Sequence, residues 1–193
     1  SIAAIQNVAK ENNVDLTGVE LIDPAKSELF EDFAQIYCKL REKKGMTMEK
    51  ARETMAKPLY FGVMMVYQGI CDGMVAGAEN STGNVLRPAF EIVKTKPGIS
   101  SVSGAFLMTT PATQFGEEGL LVFADCAVNP TLTAEQMAEV AWCTAQTARD
   151  IAGIAEPKVA MISFSTKGSA AHELVDKVTE ATRIAHERYP ELV

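Results

Sequence analysis

Asp72-Gly73-Met74-Val75-Ala76-Gly77-Ala78-Glu79-Asn80-Ser81-Thr82-Gly83-Asn84-Val85-Leu86-Arg87-Pro88 passes from an apolar run through a polar loop to a helix start. Met74-Val75-Ala76 is a short apolar run between glycines, as expected for a buried strand. Residues 78–83 are polar and glycine-containing and read as a loop. A helix follows over about 88–95, because Pro88 suits a first helical turn, where a missing N–H loses no bond. Lys96-Pro97-Gly98 then stops that helix. Strand, loop and helix in succession are the unit of an α/β protein.

Working outward from this stretch, the alternation continues. Residues 19–22 are a strand candidate closed by Asp23-Pro24. Residues 28–43 place Phe30, Phe33, Ala34, Tyr37 and Leu40 at helical spacing, and Gly45 stops them. Thr47 opens another helix, and Pro58 begins a separate, buried one over 59–68. Past Lys96-Pro97-Gly98, residues 102–109 and 120–124 read as strands. Thr133 with Gln136 forms a capping box, followed by the apolar stripe Met137, Val140, Ala141, Ala145, Ala148, Ile151 and Ala152. Residues 158–164 read as a buried strand, and 170–188 as a closing helix. The expected domains are residues 1–98 and 99–193.

Two strand–loop–helix passages suit anions. In the first, Ser81 and Thr82 supply hydroxyls, the helix start supplies free N–H groups, and Arg87 stands near the positive helix end. Arg87 reads equally well as a surface residue of a βα turn. In the second, Ser163-Phe164-Ser165-Thr166-Lys167-Gly168-Ser169 brings Ser165, Thr166 and Lys167 to a strand end before the last helix. It lacks the glycine spacing of a Walker A loop, and Ser169 reads equally as a helix cap. Open α/β sheets hold ligands at strand carboxyl ends, so a cleft between the halves is expected to take a multiply phosphorylated ligand.

A net charge of −7 argues against nucleic-acid partners, which need surplus Lys and Arg to displace counterions. No apolar run has the length to span a bilayer, and no leader pattern is seen, so a cytoplasmic location is expected. Cys38, Cys71, Cys126 and Cys143 show no CxxC pair and read as reduced, buried thiols. His172 and His186 lie about 21 Å apart along one helix and cannot share a metal. Cys126 has no histidine near it in sequence and reads as structural. Glu117-Glu118 reads as solvated, the methionines as core. Trp142 reads either as a subunit contact or as the flank of the core. Both chain ends look cut.

Five motifs resemble the phosphate acetyl/butyryltransferase family in register: Pro58-Leu59-Tyr60-Phe61-Gly62; Asp72-Gly73-Met74-Val75-Ala76-Gly77-Ala78; Asn84-Val85-Leu86-Arg87-Pro88-Ala89; Phe123-Ala124-Asp125-Cys126-Ala127-Val128-Asn129-Pro130; and Pro157-Lys158-Val159-Ala160-Met161 with Ser163-Phe164-Ser165-Thr166-Lys167-Gly168-Ser169-Ala170. The resemblance implies a two-domain α/β fold like the isocitrate and isopropylmalate dehydrogenases. Its domains are three-layer α/β/α, with a cleft between them and the second inserted into the first. It implies a homodimer whose cleft binds coenzyme A (CoA) and acetyl phosphate, with no cofactor and no metal. In that family an aspartate takes the CoA thiol proton, the thiolate attacks the acetyl carbonyl, and phosphate leaves. Arg41 and Arg87 match the two arginines that the family uses for CoA and phosphate.

The chain departs from the family pattern in two places. The family's catalytic Asp and Ser-Arg pair belong to an Asn-Asp-Leu-Ser-Arg-Gly type motif that this sequence does not contain, so no catalytic residue is expected here and little activity from the chain alone. Thr113 stands where many relatives have Cys. An acetyl-CoA-sensing domain like that of some malic enzymes and a phosphate butyryltransferase are the alternative expectations.

Overall fold

In the first half of the chain the apolar residues expected at helical spacing do form helices. The computed structural model describes residues 1–193 and divides into two units, Ser1–Lys94 and Thr95–Val193. Unit 1 contains α1 (Ile2–Glu11), α2 (Phe30–Leu40), α3 (Met48–Met55), α4 (Pro58–Tyr67) and α5 (Thr82–Ile92). Ser1, Thr47 and Ser81 each accept a backbone N–H at the start of the helix that follows, which ties these starts to local sequence. Pro58 takes the first turn of α4, where its ring is preorganised.

The core of unit 1 is Phe33, Ala34, Tyr37, Ala51, Met55, Phe61, Val63, Met64 and Ile92. The Phe33 and Phe61 rings meet at 4.9 Å between centroids, and α2 packs on α3 while α4 packs on α5. Met55 and Met64 are wholly enclosed, so truncating either to Ala would cost about 2–5 kcal/mol.

Unit 2 contains β1 (Ala105–Thr109), β2 (Leu120–Ala124), α6 (Ala134–Asp150) and α7 (Glu173–Arg188). The strands pair antiparallel, from Ala105 opposite Ala124 to Thr109 opposite Leu120. Gly119 closes their loop at φ +90°, and a Cβ there would stand 2.3 Å from the Thr110 carbonyl oxygen. Only glycine fits that position. Helix α6 begins with the expected capping box: Thr133 Oγ1 accepts the Gln136 N–H, and Gln136 Oε1 accepts the Thr133 N–H. It packs on α7 through Ala138, Ile184 and Ala185, small residues that let the helices approach.

The chain is therefore mixed α/β with one two-stranded sheet, and three expected strands do not form. Residues 19–22 are irregular. In the opening stretch, Met74-Val75-Ala76 is also irregular. Met74 packs against the unit 1 core, in a space that Gly62 leaves by having no Cβ, while Val75 is fully exposed. Residues 158–164 alternate half-buried and exposed, as a strand would, but form no ladder; one bond of that kind runs from Val159 N–H to the Val193 carbonyl (2.7 Å). A strand requires a neighbouring backbone, and apolar content alone does not supply one.

Two helix boundaries also move. Helix α5 starts at Thr82, six residues before Pro88, because the Ser81 hydroxyl caps it (3.4 Å from Asn84 N). Pro88 sits inside α5 and is buried. The closing helix starts at Glu173, capped by His172 Nδ1, which accepts the Leu174 N–H at 3.1 Å. On α6 the expected Val140, Ala141, Ala145 and Ala148 are buried, the buried face also takes in Ala138 and Glu139, and Ile151 falls past the helix end and is exposed. No helix is long and apolar enough to cross a membrane.

Candidate functional site

Helix α5 carries Arg87 and Glu91 four residues apart, so both stand on one face. Glu91 is the meeting point of three elements. Its Oε2 accepts the phenol of Tyr37, from α2, at 2.6 Å and that of Tyr60, from α4, at 3.0 Å. Its Oε1 lies 3.6 Å from Nη2 of Arg41, the residue that ends α2. The tyrosine rings meet edge to face at 5.7 Å.

Burial pushes the Tyr37 phenol far above its usual range, and the bond to Glu91 and its charge add to the rise. Burial likewise raises Tyr60, with Glu91 contributing and the nearby Arg87 charge opposing it. Both phenols are therefore neutral donors at physiological pH. Arg41 keeps about a quarter of its side chain exposed, yet its Nε–H is buried with no acceptor. Arg41 balances the charge of Glu91 while its Nε–H stays unspent, an arrangement suited to phosphate oxygens.

The remaining expected residues are placed differently. Arg87 is exposed and lies in the middle of α5, not at its positive end as the sequence suggested, because Ser81 and not Pro88 sets the helix start. Ser81 and Thr82 are exposed at that start, roughly 9 Å of helix rise before Arg87, and the Ser81 hydroxyl is occupied in capping. Arg41 thus stands beside Glu91, Arg87 lies one helical turn before Glu91 with its charge felt at Tyr60, and Ser81 and Thr82 do not join them.

Ser165, Thr166 and Lys167 belong to unit 2. Their loop closes on itself: Ser165 Oγ and Ser169 Oγ stand 2.9 Å apart, and both hydroxyls donate to the Thr166 carbonyl, at 3.0 and 2.7 Å. Gly168, at φ +78°, makes the turn. Lys167 is exposed and forms no ion pair. Ser169 is not the helix cap, since α7 begins four residues later.

With this geometry in view, the relatives of the chain become informative. Residues 1–193 match the family described as Phosphate acetyl/butaryl transferase. The chain belongs to that family. It is 52% identical over 188 residues to a phosphate acetyltransferase of Thermoanaerobacterium thermosaccharolyticum, covering 97% of this chain and 56% of that one. It is 48% identical over 188 residues to one of Clostridium acetobutylicum, with the same coverage. Among solved structures it is similar to the EutD phosphotransacetylase from Staphylococcus aureus, with TM-score 0.83, 43% identity, and 99% and 55% of the two chains covered. It spans about half the length of these relatives.

For a phosphate acetyl/butaryl transferase chain, sequence reasoning missed three carboxylates that organise the structure. Glu91 is the first. Asp125 is the second: it accepts the N–H groups of Ala127 (3.1 Å), Val128 (3.0 Å) and Asn129 (3.0 Å), as well as the Asn129 side-chain amide. Burial raises its pKa, but these donors together outweigh it and hold the carboxyl below its usual range. Asp125 and Asn129 lie together in the Phe123–Pro130 motif, and Asp commonly bonds N–H groups just ahead of it. Glu139, in α6, is the third. Cys126 is exposed and not buried as expected, and the other three cysteines are half-buried, since the Asp125 turn carries Cys126 outward. Trp142 stacks on Tyr189 at 5.4 Å and donates its Nε1–H to Glu191 at 2.8 Å.

Proposed function

We propose that this chain is the substrate-holding part of a phosphate acetyltransferase, which interconverts acetyl-CoA plus phosphate with CoA plus acetyl phosphate. The observation that carries the proposal is Arg41 beside Glu91 with its Nε–H unpartnered, and Arg87 one helical turn before Glu91 on α5, in a chain whose relatives are named for this reaction over 97% of its length. The acetyl reading is favoured over the butyryl one by those names. In the reaction the CoA thiolate forms a bond to the acetyl carbonyl carbon, the carbonyl–phosphate C–O bond breaks, and phosphate leaves with the electron pair. Cations near the phosphate stabilise the charge that develops.

In this proposal Arg41 and Arg87 hold phosphate groups of CoA or of acetyl phosphate. Ser81, Thr82, Ser165, Thr166 and Lys167 are secondary contacts from hydroxyls and one ammonium. The proton acceptor is the aspartate of the family's Asn-Asp-Leu-Ser-Arg-Gly motif, so no residue of this chain is assigned a catalytic role. The complete architecture proposed is the two-domain, dehydrogenase-like α/β fold, in a cytoplasmic homodimer without metal or redox cofactor.

Titration calorimetry of the chain with CoA tests this. Saturable binding is expected, with Arg41→Ala and Arg87→Ala each weakening it about tenfold or more, the magnitude of a lost charge-assisted hydrogen bond. Absence of saturable CoA binding, or alanine variants that bind as tightly as the unsubstituted chain, would overturn it.

A further inference from the structure

The two oxygens of Glu91 are used differently. Oε2 accepts two phenol donors, from Tyr37 and Tyr60, on two different helices. Those bonds fix the plane of the carboxylate and leave Oε1 directed to Arg41. At 3.6 Å from Nη2, Oε1 attracts the guanidinium without taking up its N–H groups in a hydrogen bond. The Arg41 Nε–H is buried and also unpartnered. An arginine held in place with its donors unspent is poised to receive an oxyanion.

We infer that Glu91 is a positioning residue: with Tyr37 and Tyr60 it orders Arg41 for the phosphate group that Arg41 binds. This rests on the proposal that Arg41 contacts substrate. Two effects of Glu91 oppose each other. Its negative charge repels a phosphate, so its removal would tighten binding if charge alone mattered. Arginine carries large rotamer freedom, which must be lost on binding unless it is already restrained. The carboxylate is neutralised in part by Arg41 and bound by two phenols, so its repulsion is weakened while its restraint remains. Preorganisation wins in this balance.

The test uses the whole 193-residue chain, with the NMR signal of the Arg41 Nε–H and the affinity for CoA as separate readouts. In Glu91→Gln the phenols keep an acceptor, but the group facing Arg41 loses its charge. We expect hydrogen exchange at the Arg41 Nε–H to quicken about tenfold without ligand, and the Kd for CoA to rise about three- to tenfold. Tyr60→Phe should change both in the same direction by less. Glu31→Gln removes another ion pair of unit 1, Glu31 with Arg52 at 2.9 Å, and should change neither. A Glu91→Gln chain with unchanged Arg41 exchange overturns the inference whatever its affinity. Quickened exchange with unchanged or tighter CoA binding overturns it as well, because the order at Arg41 would then serve stability only. If the unsubstituted chain binds no CoA, the substrate-holding proposal falls and this inference falls with it, a result told apart from the others by that control.

Discussion

Glu139 lies 7% exposed on the face of α6 that packs inward, a position where an unpaired carboxylate would be prohibitive. It is tolerated because three donors meet it: Ser100 N–H at 3.0 Å, Ser100 Oγ–H at 2.9 Å and Ser101 N–H at 2.7 Å, with Ser100 N–H shared between both oxygens. Burial raises its pKa, but the Ser100 and Ser101 bonds outweigh that and hold the carboxyl below the ordinary glutamate value of 4.5. A lowered folded-state value means the ionised form favours the fold. The contribution is complete above the unfolded value and is lost as pH falls through the folded one. Glu139→Gln is therefore expected to destabilise the chain by about 1–3 kcal/mol at pH 7, and the difference should shrink as pH drops below about 4.5. Urea unfolding across pH measures this; a difference independent of pH would contradict it. Neither Glu139 nor Glu91 could be found in the sequence. The partners of Glu91 are 54 and 31 residues away and those of Glu139 are 38 and 39 away; no local spacing encodes such pairs. Arg41 is legible only through the family resemblance of its surroundings, whereas Arg87 also stands out by its place after the Ser81-Thr82 loop.

At the scale of elements, legibility followed the range of the forces involved. The start of α6 was legible because Thr133 and Gln136 are three residues apart and satisfy each other's backbone N–H groups. The start of α5 is equally local, but Ser81 and Pro88 compete as start signals, and the Ser81 cap sets the helix six residues before Pro88. Strands failed more often than helices, since their bonds come from elsewhere in the chain. Residues 158–164 kept the alternation of a strand and found no ladder, whereas 105–109 and 120–124 had each other across a short loop. The local character of the α6 cap makes it testable by itself. Thr133→Ala removes the hydroxyl acceptor of the box and should destabilise unit 2 by about 1 kcal/mol. The chain's single tryptophan, Trp142, stacks on Tyr189 where α6 meets α7, so its fluorescence in urea reports that loss directly. An unchanged unfolding midpoint would mean the cap contributes nothing.

For the molecule as a whole, binding and turnover make different demands. Holding CoA needs local cations, and unit 1 supplies Arg41 and Arg87 despite the chain's net charge of −7. Turnover needs a base that can accept the thiol proton, and the carboxylates that the fold has organised are poor candidates. Asp125 is held by three backbone N–H groups and an amide and has a lowered pKa. Glu139 is enclosed by Ser100 and Ser101 and likewise has a lowered pKa. A carboxylate whose charge is already stabilised by several donors gains little from taking a proton. In the function proposed here, the proton acceptor is an aspartate of a motif that this sequence does not contain. We therefore expect the 193-residue chain to bind CoA and yet to form no acetyl-CoA above the uncatalysed background when mixed with CoA and acetyl phosphate. Following thioester formation at saturating CoA separates the two properties. Appreciable turnover would show that a carboxylate of this chain does serve as the base, and Asp125→Asn would then reveal whether it is the one beside Cys126.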